Sequence, residues 1–287
     1  MGAMNPEPLV ATAGCVLVTG GSSGIGAACI VALRARGLRV FATARDPKDF
    51  VAIAQAGATP LEMDVADRAS VEAGCAALLQ ALGSARLAAV VNNAGMAAIG
   101  PWEDLPLSDL RRMLEVNVIG AVSVTQLLLP RLRRDQGRVV LLSSVAGRVA
   151  MPFLGAYACS KFALEAFGDS LRRELRRTGV KVVVVQPSAV RTPIWSRLDP
   201  GPPPAEAYRT GYLGFRDHVL KVERDGLPPK RVAEAVSDAV TLPRPPARML
   251  VTRRNPLVYR LYASLPDSVI DFVLGRRDKN SSSVDKT

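Results

Sequence analysis

The chain has 287 residues, 48% of them hydrophobic and 22% charged, with a formal net charge of +11. That balance excludes a disordered polymer, while 23 unphased glycines and only four cysteines exclude collagen-like and disulfide-scaffold classes. A single histidine, His218, leaves no histidine-built zinc site and argues against a Ser-His-Asp hydrolase; no metal is expected, and His218 reads as a surface residue.

From about Gly14 the chain alternates short apolar, β-branched runs with longer helical stretches. In chain order the spacing predicts a strand at Cys15–Thr19, a helix at Gly24–Arg36, a strand at Leu38–Thr43 and a helix at Pro47–Ala56. A strand at Ala58–Met63, a helix at Asp67–Leu82, a strand at Leu87–Asn92 and a helix at Ser108–Leu132 follow. The last expected elements are strands at Arg138–Ser143, Val180–Gln186 and Arg248–Thr252, with helices at Gly155–Thr178 and Pro229–Thr241. Near-continuous apolar strands such as Val182–Val185 suit a parallel sheet covered on both faces. The repeated alternation points to an α/β fold, a doubly wound parallel sheet in one domain spanning about residues 9–279.

Two segments break the rhythm. Residues 193–229 are rich in Pro and Gly and hold Ile194, Trp195, Tyr208, Tyr212 and Phe215, which suggests an irregular lid insertion. Residues 255–277 suggest a helical tail that is docked, dimer-forming or lying on a membrane surface. Residues 280–287 resemble translated vector sequence and are set aside. No basic stretch followed by an apolar core opens the chain, and no uninterrupted apolar run reaches about 18 residues, so a cytoplasmic location is expected. Cys15, Cys29, Cys75 and Cys159 lack C-x-x-C spacing and are expected as small buried hydrophobes.

The 37 Lys and Arg are spread along helices, as at Arg172, Arg173, Arg176 and Arg177, and read as solvated faces. An anionic partner is the other reading: a phosphorylated cofactor, an acidic carrier or a membrane surface. Aromatics are 5% of the chain and do not interleave with the basic runs, so no nucleic-acid partner is expected.

Four features carry chemistry. The first strand runs into Thr19-Gly-Gly-Ser-Ser-Gly-Ile-Gly26 and then a helix, where glycines let the backbone approach a pyrophosphate and the helix N-terminus offers unbonded N–H groups. Tyr157 and Lys161 stand four apart in a helix and share a face. Ser144 lies thirteen residues upstream, at the C-terminal end of a strand, where doubly wound sheets place ligands. The strand from Leu87 likewise ends in Asn92-Asn-Ala-Gly95.

Thr19-Gly-x-x-x-Gly-x-Gly26, Asn92-Asn-Ala-Gly95, Asn117, Ser144 and Tyr157-x-x-x-Lys161 together resemble the short-chain dehydrogenase/reductases of the classical type, in order and spacing, from about Val10 to Thr252. The resemblance implies a single-domain Rossmann-type fold of about seven strands, and homodimers or homotetramers. The stretch Tyr157–Leu175 looks most like members acting on hydroxysteroids, retinoids and other lipophilic alcohols. It also implies roles: Tyr157 as general acid/base, Lys161 favouring the phenolate and binding ribose, Ser144 orienting the substrate oxygen, and Asn117 holding a water that links Lys161 to solvent. A buried Asn117 satisfied by backbone is the alternative for that residue.

By the same resemblance a dinucleotide would meet Gly20, Ser22, Ser23, Gly24, Ile25, Gly26, Asp64, Val65, Asn93, Ala94, Gly95, Pro187, Val190 and Thr192, besides Tyr157 and Lys161. Ser188 stands where the family usually has glycine. The second strand ends at Ala44-Arg45 where NAD-selective members carry an acid, so NADP(H) is expected, with Arg45 on the 2′-phosphate; the competing reading pairs Arg45 with Asp46. Val145, Met151, Phe153 and Leu154 would line one substrate wall, and Met96, Ile194, Trp195 and Tyr212 the other; ordinary core packing is the alternative. The expected function is interconversion of a hydrophobic secondary alcohol and ketone. The alternatives are a 3-oxoacyl-carrier-type reductase and a non-catalytic dinucleotide-binding regulator.

Overall fold

The computed structural model describes residues 14–195, 204–253, 259, 261 and 265–272. Apolar, β-branched runs form seven strands: β1 (Cys15–Val18), β2 (Arg39–Ala44), β3 (Thr59–Glu62), β4 (Leu87–Asn92), β5 (Arg138–Leu142), β6 (Lys181–Pro187) and β7 (Arg248–Val251). They pair in the order β3-β2-β1-β4-β5-β6-β7, every pair parallel. The order reverses between β1 and β4, and a crevice opens there at the C-terminal ends of the strands, the usual ligand position in such sheets.

Successive side chains of each strand point to opposite faces, so each face needs its own cover. On one face α1 (Gly24–Ala35) and α8 (Pro229–Thr241) bury Ile30, Leu33 and Val236 against Val16, Val40 and Val183. On the other, α3 (Arg68–Leu82), α5 (Gly120–Asp135) and α6 (Gly155–Glu174) bury Leu78, Leu128 and Leu164 against Leu17, Phe41 and Val184. Each such side chain contributes about 1.5–3 kcal/mol. A short α2 (Phe50–Gln55) completes the β2–β3 crossover. Asp46 and Asp67 cap the elements that follow them, accepting from the backbone N–H of Lys48 and Ala69.

Three expectations are corrected. The helix expected over Ser108–Leu132 is α4 (Leu107–Leu114), a π-helical turn at Glu115–Ile119 and α5 in continuous succession. The π turn inserts an extra residue just before Gly120, where a Cβ would come within 2.6 Å of the Val65 carbonyl oxygen. This run has the length and mean hydropathy, 1.5, of a membrane span, yet Val124, Leu128 and Leu132 are buried in the domain core.

The segment expected as an irregular lid instead carries a regular helix, α7 (Glu206–Asp225), with His218 exposed on it. Its Gly211, which reads as a breaker, faces Phe153, whose ring would come within 3.0 Å of an added Cβ. Cys159 is exposed, unlike Cys15, Cys29 and Cys75, because it lies on the outer face of α6. Val190 is 5% exposed and packs its side chain into the core beside Leu227. Within the expected tail at 255–277, residues 267–272 are helical; 280–287 and most of the tail lie outside the described residues.

Candidate active site

The crevice is built on the turn after β1. Thr19 is buried, and its hydroxyl accepts from the backbone N–H groups of Asn93 and Ala94, each at 3.0 Å, tying the end of β4 to the end of β1. The Asn93 amide donates back to the carbonyls of Thr19 and Gly20, at 2.8 and 2.9 Å. Gly20 and Gly24 take φ of +65° and +56°, a region L side chains avoid. At Gly26 a Cβ would fall 2.1 Å from the Gly20 carbonyl oxygen, so the turn closes only over a glycine. Ser23 caps α1 in an extended conformation without a side-chain hydrogen bond, leaving the first N–H groups of the helix turned toward the crevice. This cradle fits a pyrophosphate: narrow backbone, unbonded donors and the positive end of a helix dipole.

The crevice holds about 390 Å³. Of the residues expected to bind a dinucleotide, Gly20, Ser22, Ser23, Gly24, Ile25, Arg45, Asp64, Val65, Asn93, Ala94, Gly95, Tyr157, Lys161, Pro187 and Thr192 line it. Gly26 shapes the turn from below, and Val190 faces the core. Arg45 is exposed on the rim and has no ion pair among the described residues, because Asp46 pairs with Lys48 at 2.6 Å instead. Ser188 is unstrained: its φ is not positive, and its N–H donates to the Val251 carbonyl at 2.9 Å. The sequence reading missed Asp49, Arg112 and Val116, which also line the crevice. Arg112 and Val116 stand four apart just before Asn117, and that helical spacing was the available signal.

Tyr157 and Lys161 lie one turn apart on α6, both buried. The Lys161 Nζ donates to the Leu142 carbonyl at 2.8 Å and stands 5.5 Å from the centre of the Tyr157 ring. Burial pushes the phenol up to about 12, opposed by its hydrogen bond with Ser144. Burial pulls the ammonium down to about 8, opposed by the negative charge of Glu165. In the protein alone desolvation dominates the phenol, and the hydrogen bond with Ser144 is what pulls it down. Ser144, at the end of β5, also accepts from the backbone N–H of Ala146 at 3.1 Å.

Asn117 sits in the π turn, 2% exposed. Its Oδ1 accepts from the Met96 N–H at 2.8 Å, and its Nδ2 donates to the Met96 carbonyl at 2.9 Å and to the Ser160 hydroxyl at 3.0 Å. The side chain thus clamps the strand-end loop to α6, satisfied by the Met96 backbone and the Ser160 hydroxyl.

Beyond Tyr157 lies an apolar cluster of Met96, Met151, Phe153, Leu154, Trp195, Tyr212 and Phe215. Phe153 has a φ of +63°, an uncommon state for a bulky residue. Edge contact with Tyr212 at 5.9 Å and a tilted contact with Phe215 at 6.0 Å hold it there. Trp195 meets the Tyr157 ring edge-on at 6.3 Å. Val145 is half-buried and outside this cluster. The arrangement brings a buried proton donor, an ammonium and an aromatic wall to one end of a nucleotide-shaped crevice.

Comparison with known proteins agrees with that geometry. The short chain dehydrogenase family model matches residues 14–202. An NADPH-dependent 3-dehydrocapnine reductase from Ornithobacterium rhinotracheale is 35% identical over 265 residues, covering 89% of this chain and 94% of its own. Retinol dehydrogenase 5 from Homo sapiens is 33% identical over 287 residues, covering 93% of this chain and 90% of its own. The crystal structure of a short-chain dehydrogenase from Streptomyces avermitilis superposes with a TM-score of 0.73 at 28% identity, covering 95% of this chain and 96% of its own. With the cradle, the strand order and the matched relatives in agreement, the chain belongs to the short-chain dehydrogenase family and is an oxidoreductase of the kind that works with a nicotinamide dinucleotide.

Proposed function

We propose that the protein is an NADP(H)-dependent carbonyl reductase and alcohol dehydrogenase acting on a hydrophobic ketone–alcohol pair, steroid-, retinoid- or aromatic-like. The observation that carries this reading is the position of Tyr157: buried, bonded to Ser144, and in edge contact with Trp195 in the apolar cluster. A proton donor set in such a wall favours an apolar substrate, since a polar one would lose its water without replacement. The names of the two relatives, an NADPH-dependent reductase and a retinol dehydrogenase, support it.

The dinucleotide, when bound, supplies or takes up the hydride at the carbon of the reacting C–O bond. In the reducing direction Tyr157 donates its phenol proton to the substrate oxygen as charge develops there. Ser144 donates a hydrogen bond to the same oxygen and stabilises that charge. Lys161 holds a positive charge near the phenol and offers its ammonium to the nicotinamide ribose. Met151, Phe153 and Trp195 exclude water and orient the substrate. Arg45 takes the 2′-phosphate. The molecule works as one domain over about residues 9–279 and as a homodimer or homotetramer.

A panel of ketones assayed with NADPH and NADH tests the reading. Bulky aromatic or steroid-like ketones should show lower KM than short polar ones. A strict preference for acyl-carrier substrates would move the protein to the 3-oxoacyl reductases, and no turnover of any carbonyl compound would leave only a dinucleotide-binding role.

A further inference from the structure

One turn along α6 from Lys161 stands Glu165, a carboxylate only 5% exposed. A charge so deeply buried needs partners, and both oxygens have one. Oε1 accepts from Nε2 of Gln186 at 2.9 Å, and Oε2 accepts from Nε of Arg248, also at 2.9 Å. Arg248 opens β7 and extends Nη2 to Asp169, 3.0 Å away and one further turn along α6. Gln186 is itself buried and stands one residue before Pro187, which lines the crevice. The stem of Glu165 also lies under the loop after Ser144, since a Cβ on Gly147 would come within 3.0 Å of its Cγ. One side chain thus braces the helix of Lys161, the strand end at Pro187 and the loop after Ser144. Hydride and proton transfer make no use of it.

We propose that Glu165 is a positioning residue of the site: its fixed negative charge keeps the Lys161 ammonium charged inside the protein, and its bond to Gln186 sets the end of β6. This deepens the acid–base reading of Tyr157 and Lys161 and rests on it.

The electrostatic part follows from what faces Lys161. From its own helix come Tyr157 and Glu165. Leu142 of β5 and Gly95 after β4 face it with uncharged groups. Arg248 of β7 acts on it through Glu165. Among the described residues no ion pair joins Lys161 to Glu165, so the attraction acts across the turn, while burial pulls the ammonium down to about 8. Arg248 neutralises part of the Glu165 charge, and the balance of the two sets how readily Lys161 holds its proton.

The two partners therefore have opposite signs of effect, which a merely structural role would not produce. The test is direct titration of the Lys161 side chain by NMR, in the full chain without cofactor, with ¹³C-labelled lysine assigned through Lys161→Arg. Glu165→Gln should lower the midpoint by about one pH unit, a ten-fold change in the protonation equilibrium. Arg248→Gln should raise it, because Glu165 then acts unneutralised. Unmoved midpoints, or shifts of the same sign in both variants, overturn the proposal. If Glu165→Gln does not fold, Arg248→Gln decides alone: an upward shift supports the proposal, and none or a downward one overturns it. Turnover plays no part in this readout, so an absence of carbonyl reductase activity would defeat the functional reading and leave the titration result standing.

Discussion

The Lys161 ammonium stands 5.5 Å from the centre of the Tyr157 ring, with its hydrogen bond given to the Leu142 carbonyl rather than to the phenol oxygen. Two buried groups one turn apart are thus displaced in opposite senses, the phenol up to about 12 and the ammonium down to about 8. Near pH 7 both carry their protons. The resting site thus retains the phenol proton that the proposed reduction needs.

Tyr157→Phe removes that proton and keeps the ring against Trp195. Turnover should fall by about 10²-fold or more, the range of general-acid catalysis, with dinucleotide affinity within about two-fold of the parent. Lys161→Met should lower turnover and weaken dinucleotide binding together, because the ammonium serves both. Steady-state rates and fluorescence titration with NADPH separate the two. Retention of more than a few per cent of the rate by Tyr157→Phe would remove the phenol from its role.

The pH dependence follows from the same pair. Reduction should fall as pH rises through about 8, where Lys161 loses its charge, and be flat below. Stability should behave otherwise. Lys161 is lowered from 10.5 on folding, so between about 8 and 10.5 the unfolded chain binds the extra proton and this group's contribution rises with pH. Tyr157 is raised from 10.0, so above pH 10 the folded chain holds the extra proton and its contribution falls as pH rises toward about 12. Melting temperatures and rates measured across pH 6–10 would show the rate falling while the contribution of Lys161 to stability rises. A rate still rising at pH 9.5 would contradict the assignment.

Asn117→Leu keeps the volume and removes three hydrogen bonds, two to Met96 and one to Ser160. Buried partners left unsatisfied cost about 1–3 kcal/mol each, although relaxation shares the loss. The loop after β4 should loosen, lowering both the melting temperature and the affinity for NADPH. Faster amide exchange at Met96 is the local readout; unchanged exchange there would show that the clamp is not needed.

What the sequence made legible is what local chemistry dictates. Leu87–Asn92 and Pro229–Thr241 are observed with the expected ends because an apolar run stopped by Asn, and a Pro at the first helical position, leave little choice. The glycine turn, Ser144, Tyr157 and Lys161 were legible through their joint resemblance to a family pattern, since the Tyr–Lys spacing is only suggestive by itself. Helix α7 was hidden because Gly211 and Gly214 read as breakers until Phe153, from a distant loop, explains the first of them. The π turn needed Val65, and the Glu165–Gln186–Arg248 cluster joins three elements that no periodicity connects. Val190, beyond the end of β6, packs its side chain into the core beside Leu227.

On the proposed reading, cofactor choice turns on Ala44 and Arg45. Ala44 ends β2 and lines the crevice without a carboxylate to hold a ribose 2′-hydroxyl. Arg45 follows on the rim, and the structure removes its nearest competitor, since Asp46 is held by the Lys48 side chain and backbone. Asp49 also lines that end of the crevice and opposes a phosphate there, which limits the gain. An Arg–phosphate contact at an exposed rim, screened by water and salt, should favour NADPH over NADH by about ten-fold in kcat/KM. Arg45→Ala should erase most of that preference and make it insensitive to salt. Ala44→Asp combined with Arg45→Ala should reverse it, because the new carboxylate accepts from the 2′-hydroxyl and repels a phosphate. Asp49→Asn should sharpen the preference for NADPH by a few-fold. Equal kcat/KM for the two dinucleotides in the unmodified protein would sink the assignment of Arg45.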